Sequence, residues 1–251
     1  MDVAIRGDRA SCLSMQLGAH TWLFAVARGF GAVDGVASAP AALGRLRSEC
    51  ERRLRGERFR RAVDRPQAAA TALLGVLARV NGDLYSRSAS GDDFITAGCS
   101  LTAALVVRGR SYIVHTGGTA AYLAHKGEVS ALTGDDALDE TVIPLLSRAL
   151  GTSASLDVSV SSVAVDSGDV MILMGHRVRG DVDRRALIAH VEDAGGSEHM
   201  LVVRFDDSDR VVDEADAVPA ARGRMLARIA LLAGACIVFA GAVLFSTVWA
   251  R

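Results

Sequence analysis

From Ile229 to Ala250 the chain reads IALLAGACIVFAGAVLFSTVWA, an apolar run without a charged residue. As a helix this run rises roughly 30 Å at about 1.5 Å per residue, enough to cross a bilayer core. The core helix of a globular domain rarely goes so far without a charge, so the stretch predicts a membrane anchor. Arg222, Arg224 and Arg228 precede it, Arg251 follows, and Trp249 stands where an interfacial aromatic belongs. The excess of arginine on the N-terminal side predicts a single-pass protein whose N-terminal part is cytoplasmic. The expected spanning segment is 225–250, which makes the lipid bilayer the first expected partner. Met1–Ala10 carries Asp2, Arg6, Asp8 and Arg9 and lacks the apolar centre of a signal peptide.

Ahead of the anchor, Asp206, Asp207, Asp209, Asp213, Glu214 and Asp216 crowd a stretch of low apolar content that ends near Pro219. It reads as a solvated tether, so the expected organisation is one domain over 1–206, a linker over 207–224, and the anchor. The formal net charge of -1, from 28 basic and 29 acidic residues, argues against a nucleic-acid-binding protein. Cys12, Cys50, Cys99 and Cys236 are far apart, with neither zinc-ligand spacing nor a disulfide framework.

Within 1–206 the hydrophobic period changes several times. Thr21–Ala27 and Ser100–Val107 predict buried strands, and Ser111–Thr116 and Ala120–Ala124 follow, separated by Gly117-Gly118. Lys126-Gly127 predicts a hairpin turn into Glu128–Leu132. Leu156–Val165 alternates as a half-exposed strand, Val170–Met174 is an apolar run, and Met200–Phe205 closes the domain. Two helices are expected. One begins near Ser38 as N-cap, followed by Pro40, with Leu43, Leu46, Cys50 and Leu54 on one face; the other spans Gln67–Tyr85. Strands around a consecutive helix pair predict an α+β sandwich instead of a doubly wound parallel sheet. Neither a dinucleotide-binding glycine loop nor a phosphate-cradling G-K-[ST] is present.

Phe24–Ala32 (FAVARGFGA), Gly35–Ser38 (GVAS), Gly98–Val106 (GCSLTAALV), His115–Leu123 (HTGGTAAYL) and Ala131–Asp136 (ALTGDD) occur in an order that is similar to a known family. Ser147–Gly151 (SRALG), Val165–Val178 (VDSGDVMILMGHRV) and Gly195–Phe205 (GGSEHMLVVRF) continue it. Together these segments resemble the metal-dependent protein phosphatases, the PPM or type 2C class, over roughly 1–206. The resemblance implies a β-sandwich flanked by helices. It also implies, in active members, two Mg²⁺ or Mn²⁺ ions held by aspartates at one end of the sandwich, with a bridging water that attacks a phosphoserine or phosphothreonine.

The resemblance also implies where those ligands should stand, and most are replaced. Arg28 occupies the position of the aspartate in A-D-G, while Gly29, whose counterpart offers a carbonyl, is kept. Gly118 replaces the aspartate of G-D-S, and His176 that of S-D-G. Glu198, followed by His199, replaces the aspartate of D-N. Aligning Arg6 with the family's phosphate-contacting arginine puts Ser11 where an acidic ligand belongs. Hard divalent cations need anionic oxygens, and a guanidinium cannot give up its proton to admit one.

No metal cofactor is therefore expected, and Arg28 is expected to pair with Glu198 in place of an ion. His176, Glu198 and His199 offer at most a zinc or manganese half-site. His20, His115, His125 and His190 show no ligand spacing, and Asp135 and Asp136 read as turn formers. The arginines from Arg45 to Arg61 read as a solvated helix face with possible lipid or protein contacts. The expected function is a membrane-anchored pseudophosphatase that binds a phosphoprotein or other protein partner. An active phosphatase with an atypical metal site is the alternative.

Overall fold

Leu23–Ala27, the middle of the strand Thr21–Phe30, is buried on both faces, because a sheet lies on one side of it and a helix layer on the other. In this strand, β3, Leu23, Ala25 and Ala27 face the helices while Phe24 and Val26 face the second sheet. Its near-continuous apolar sequence follows from that position. The computed structural model describes residues 1–6, 8–31, 35–57, 59, 66–88, 98–134, 136, 148–178, 187, 199–206 and 225–226.

The remaining strands are β1 (Asp2–Arg6), β2 (Cys12–Gly18), β4 (Gly98–Val107), β5 (Arg110–Thr116) and β6 (Ala120–His125). They are followed by β7 (Glu128–Ala131), β8 (Ser159–Ala164), β9 (Val170–Met174), β10 (Met200–Arg204) and the two-residue β11 (Met225–Leu226). One sheet has the order β1-β10-β9-β6-β7 and the other β11-β8-β5-β4-β3-β2. All the pairings are antiparallel. The expected α+β sandwich is thus the observed one.

Two helices, α1 (Gly35–Leu54) and α2 (Pro66–Ser88), cover the outer face of the larger sheet. Leu43, Leu46, Cys50 and Leu54 of α1 and Leu73, Val76, Leu77 and Val80 of α2 are buried there against Leu101, Ala103 and Leu105. Each large side chain so buried contributes about 1.5–3 kcal/mol through the water it leaves. The expected N-cap at Ser38 is corrected: α1 starts three residues earlier, at Gly35. The Ser38 hydroxyl instead donates to the Gly98 carbonyl at 2.7 Å, joining the helix to the start of β4. Pro40 is the sixth residue of α1, past the first turn, so it leaves the Val36 carbonyl without its helical N–H donor.

The inter-sheet core contains Phe24, Val26, Ala104, Val106 and Ile113 from the larger sheet and Ala121, Leu123, Met171, Leu173, Leu201 and Val203 from the smaller. Lys126 (φ 48°) and Gly127 (φ 88°) form the expected hairpin turn between β6 and β7. Among the described residues no helix is long and apolar enough to cross a membrane, and residues 227–251, which hold nearly all of the expected anchor, lie outside them. The tether 207–224 lies outside them as well.

Candidate functional site at one end of the sandwich

The strand registers bring the sequence-predicted positions together. Arg6 is opposite Met200, Met200 opposite Met174, and Met174 opposite Ala120. The turn 117–119 leads from there to Thr116, which pairs with Leu101, and one residue further Ser100 is opposite Arg28. Arg6, Ser11, Arg28, Gly29, Gly118 and His176 therefore gather at one end. Glu198 lies outside the described residues, and so does its expected pairing with Arg28.

The inter-sheet face changes character toward that end. Along β3 the row Phe24, Val26 continues to Arg28; along β4, Ala104 leads to Thr102 and Ser100; along β5, Ile113 leads to His115. In the smaller sheet, Leu173 leads to Gly175, Leu201 to His199, and Ala121 to Thr119. Strand alternation thus gives an apolar floor and a polar mouth. Arg28 is exposed and, among the described residues, makes no hydrogen bond or ion pair.

The mouth is built from hydrogen bonds among side chains. Thr102 Oγ1 lies 2.9 Å from His115 Nδ1 and 2.8 Å from Thr119 Oγ1, with all three residues buried. His115 Nε2 is 3.6 Å from Asp136 Oδ2. The Arg148 guanidinium hydrogen-bonds to Asp136 Oδ1 and reaches Asp157 at 3.5 Å. Burial opposes the charge on Arg148, but pairing with Asp136 outweighs it, and the arginine pKa is raised. Asp136 is therefore not the turn former expected from sequence: it is 5% exposed and is the acceptor at the centre of a network. Asp135 lies outside the described residues.

Asp136 also fixes the turn beside Arg28's neighbour Ser100. Gly117 donates its N–H to Asp136 Oδ2 at 2.9 Å, and Gly118 donates to Ser100 Oγ at 2.9 Å. Gly117 has φ +87°, and a Cβ there would lie 2.3 Å from Ser100 Oγ, so glycine is required twice over. On the opposite sheet, a Cβ at Gly175 would lie 2.5 Å from His199 Cδ2, so the imidazole packs directly on that glycine. Arg177 then ties the segment after β9 to the loop after β7, donating to the Thr133 carbonyl at 2.7 Å and to that of Gly134. Val178 N–H meets the buried Tyr122 hydroxyl at 3.0 Å.

A carboxylate outside the family-like motifs stands at the start of the 3₁₀ turn Arg9–Ser11. Asp8 caps that turn, accepting from Ala10 N–H at 2.9 Å and from the Ser11 hydroxyl at 2.8 Å. The Ala10 and Ser11 hydrogen bonds hold the Asp8 carboxyl below its ordinary range, and His199 adds a favourable charge. Asp8 lies three residues before Ser11, and only the N-cap signal of an aspartate at a turn start could have pointed to it.

This set of residues does not fit a pair of hard divalent cations. Those need several carboxylate oxygens converging at short range, whereas Arg28, Gly118, His176 and Ser11 supply none. Among the described residues, no three His, Cys, Asp or Glu side chains are grouped so as to hold an ion. Three of the four arginines of α1 are also engaged. Glu49, buried, takes Arg52 and Arg53 (3.1 Å) and lies 3.6 Å from Arg45, which also pairs with Asp83.

No protein-family model matches the chain, and no curated protein matches it. Solved structures do. The serine/threonine phosphatase PstP/Ppp of Mycobacterium tuberculosis superposes with TM-score 0.61 at 18% identity, covering 82% of this chain and 98% of that one. Stp1 of Staphylococcus aureus gives 0.62 at 12% identity, over 82% and 94%. The PPM Ser-Thr phosphatase MsPP of Mycobacterium smegmatis, solved with cacodylate, gives 0.55 at 23% identity, over 82% and 98%. Residues and topology together define a two-sheet sandwich with a polar end. That fold is the fold of the PPM-type serine/threonine phosphatases.

Proposed function

We propose that the chain is a membrane-anchored pseudophosphatase: a PPM-type domain that binds a phosphoprotein or other protein partner without metal-dependent hydrolysis. The observation that carries this reading is Arg28, at the end of the inter-sheet row of β3 where the resemblance places a metal-ligand aspartate. A unit positive charge about 4 Å from each unit of metal charge costs roughly 4 kcal/mol at an effective dielectric of 20, before the lost ligand is counted. Gly118, His176 and Ser11 remove three more carboxylates from the same end. The catalytic domain of PstP was solved with two manganese ions, and the loss of carboxylates at Arg28, Gly118, His176 and Ser11 is the contrast that supports a binding role. The tether 207–224 and the apolar run Ile229–Ala250 then hold the domain at the cytoplasmic face of a bilayer.

Turnover tests the reading. Full-length protein in detergent micelles is assayed on p-nitrophenyl phosphate with Mn²⁺, with and without a chelator. No chelator-sensitive hydrolysis is expected; chelator-sensitive hydrolysis would establish an active enzyme with an atypical site. Retention of the protein in membranes at alkaline pH checks the anchor, and release into the supernatant contradicts it.

A further inference from the structure

The carboxylates described at the site end are already engaged. Asp8 is taken by Ala10 and Ser11, Asp136 by Arg148 and Gly117, and Asp157 lies within reach of Arg148. The backbone donors of the turn are used as well, by Asp136 and Ser100. Arg28 differs from all of these. It continues the row of Phe24 and Val26 to the mouth between the sheets, is exposed there, and has no partner among the described residues. Its neighbour across the ladder, Ser100, accepts the Gly118 N–H, and no hydrogen bond joins it to the guanidinium.

A guanidinium presents parallel N–H groups in a fixed fork that matches an oxyanion bidentately. We propose that Arg28 is a metal-free receptor for an oxyanion carried by a partner protein, seated at the inter-sheet mouth. The shared chemistry is two acceptor oxygens in one plane, which a phosphoserine or a glutamate side chain can supply. This inference rests on the metal-free reading of the site. It adds that the arginine which excludes the cations takes over the recognition of the anion.

Calorimetric titration of the full-length protein, in detergent micelles with a chelator present, uses N-acetyl phosphoserine amide and N-acetyl glutamate amide as separate probes. Saturable binding of at least one is expected. It should weaken about tenfold in Arg28→Gln, weaken less in Arg28→Lys, and weaken with added salt, since an exposed charge is screened. The two probes identify which oxyanion the mouth prefers. Because Arg28 is exposed, both variants are expected to melt within a degree or two of wild type, which separates lost binding from lost folding. No saturable binding of either probe overturns the proposal, as does equal binding by wild type and Arg28→Gln. Binding seen only in Glu198→Gln overturns it too, because the fork is then filled by the chain's own carboxylate. Absent binding with absent turnover removes the anion receptor alone. Binding that requires Mn²⁺ and comes with hydrolysis removes the pseudophosphatase reading with it.

Discussion

Arg148 is hydrogen-bonded to Asp136, and the same carboxylate accepts the Gly117 N–H at 2.9 Å. One buried charge therefore joins the S-R-A-L-G segment to the Gly117-Gly118 turn, where the resemblance places a metal-binding aspartate. His115 Nε2 stands 3.6 Å from Asp136 Oδ2, beyond hydrogen-bond distance, while its Nδ1 is 2.9 Å from Thr102 Oγ1, which lies 2.8 Å from Thr119 Oγ1. Thr102 belongs to the larger sheet, and Thr119 leads into the smaller. Side-chain hydrogen bonds thus tie the two sheets together at the end where the resemblance would place cations.

Removing one partner of that pair leaves a charge buried without compensation. Asp136→Ala and Arg148→Met are each expected to lower stability by about 3 kcal/mol, with somewhat less for Arg148 because it is partly exposed. The double variant should lose clearly less than the sum, since the second removal deletes a charge already stranded. Urea denaturation of the four proteins gives the coupling directly. Additive losses would show that the pair does not act as a unit.

Gly117 and Gly75 make a controlled comparison. Gly117→Ala combines a left-handed backbone with a contact of 2.3 Å to Ser100 Oγ, so a loss of about 2 kcal/mol or more is expected. Gly75, in the middle of α2, has nothing within 4 Å of a built Cβ. Gly75→Ala is expected to stabilise by about 0.5–1 kcal/mol through helix propensity. Thermal melts of the two variants check both signs.

Asp8 supplies an acid-sensitive contribution. Its folded-state pKa is depressed, chiefly by the Ala10 and Ser11 hydrogen bonds, so its contribution is complete above the unfolded value, about 3.9. It is lost as pH falls through the lower folded value. The stability difference between wild type and Asp8→Asn should be kept down to about pH 5 and shrink below about pH 4. A difference that grows below about pH 4 would contradict the cap geometry.

Much of this was legible in the residues. The apolar runs of β3 and β4, the Lys126-Gly127 hairpin, and the helical face of Leu43, Leu46, Cys50 and Leu54 are strong local signals, and each forms as expected. The motif order carried the fold. What escaped was short or non-local. The strand Asp2–Arg6 has polar ends and shows only a five-residue alternation, too brief to stand out. Asp136 looked like a turn residue because its neighbours are Gly134 and Asp135. Its burial depends on Gly117, nineteen positions earlier, and Arg148, twelve later, which no local pattern encodes. Ser38 resembled an N-cap beside Pro40, but the carbonyl of Gly98, sixty residues on, claims its hydroxyl.

Titrating Mn²⁺ into the full-length protein by calorimetry weighs the central idea, that this end of the sandwich has exchanged divalent cations for arginine and hydrogen-bonded side chains. The account predicts no saturable heat at millimolar Mn²⁺ and no rise in melting temperature, which a ligand specific to the native state would have to produce. Saturable binding of two equivalents, abolished by a chelator, would contradict it.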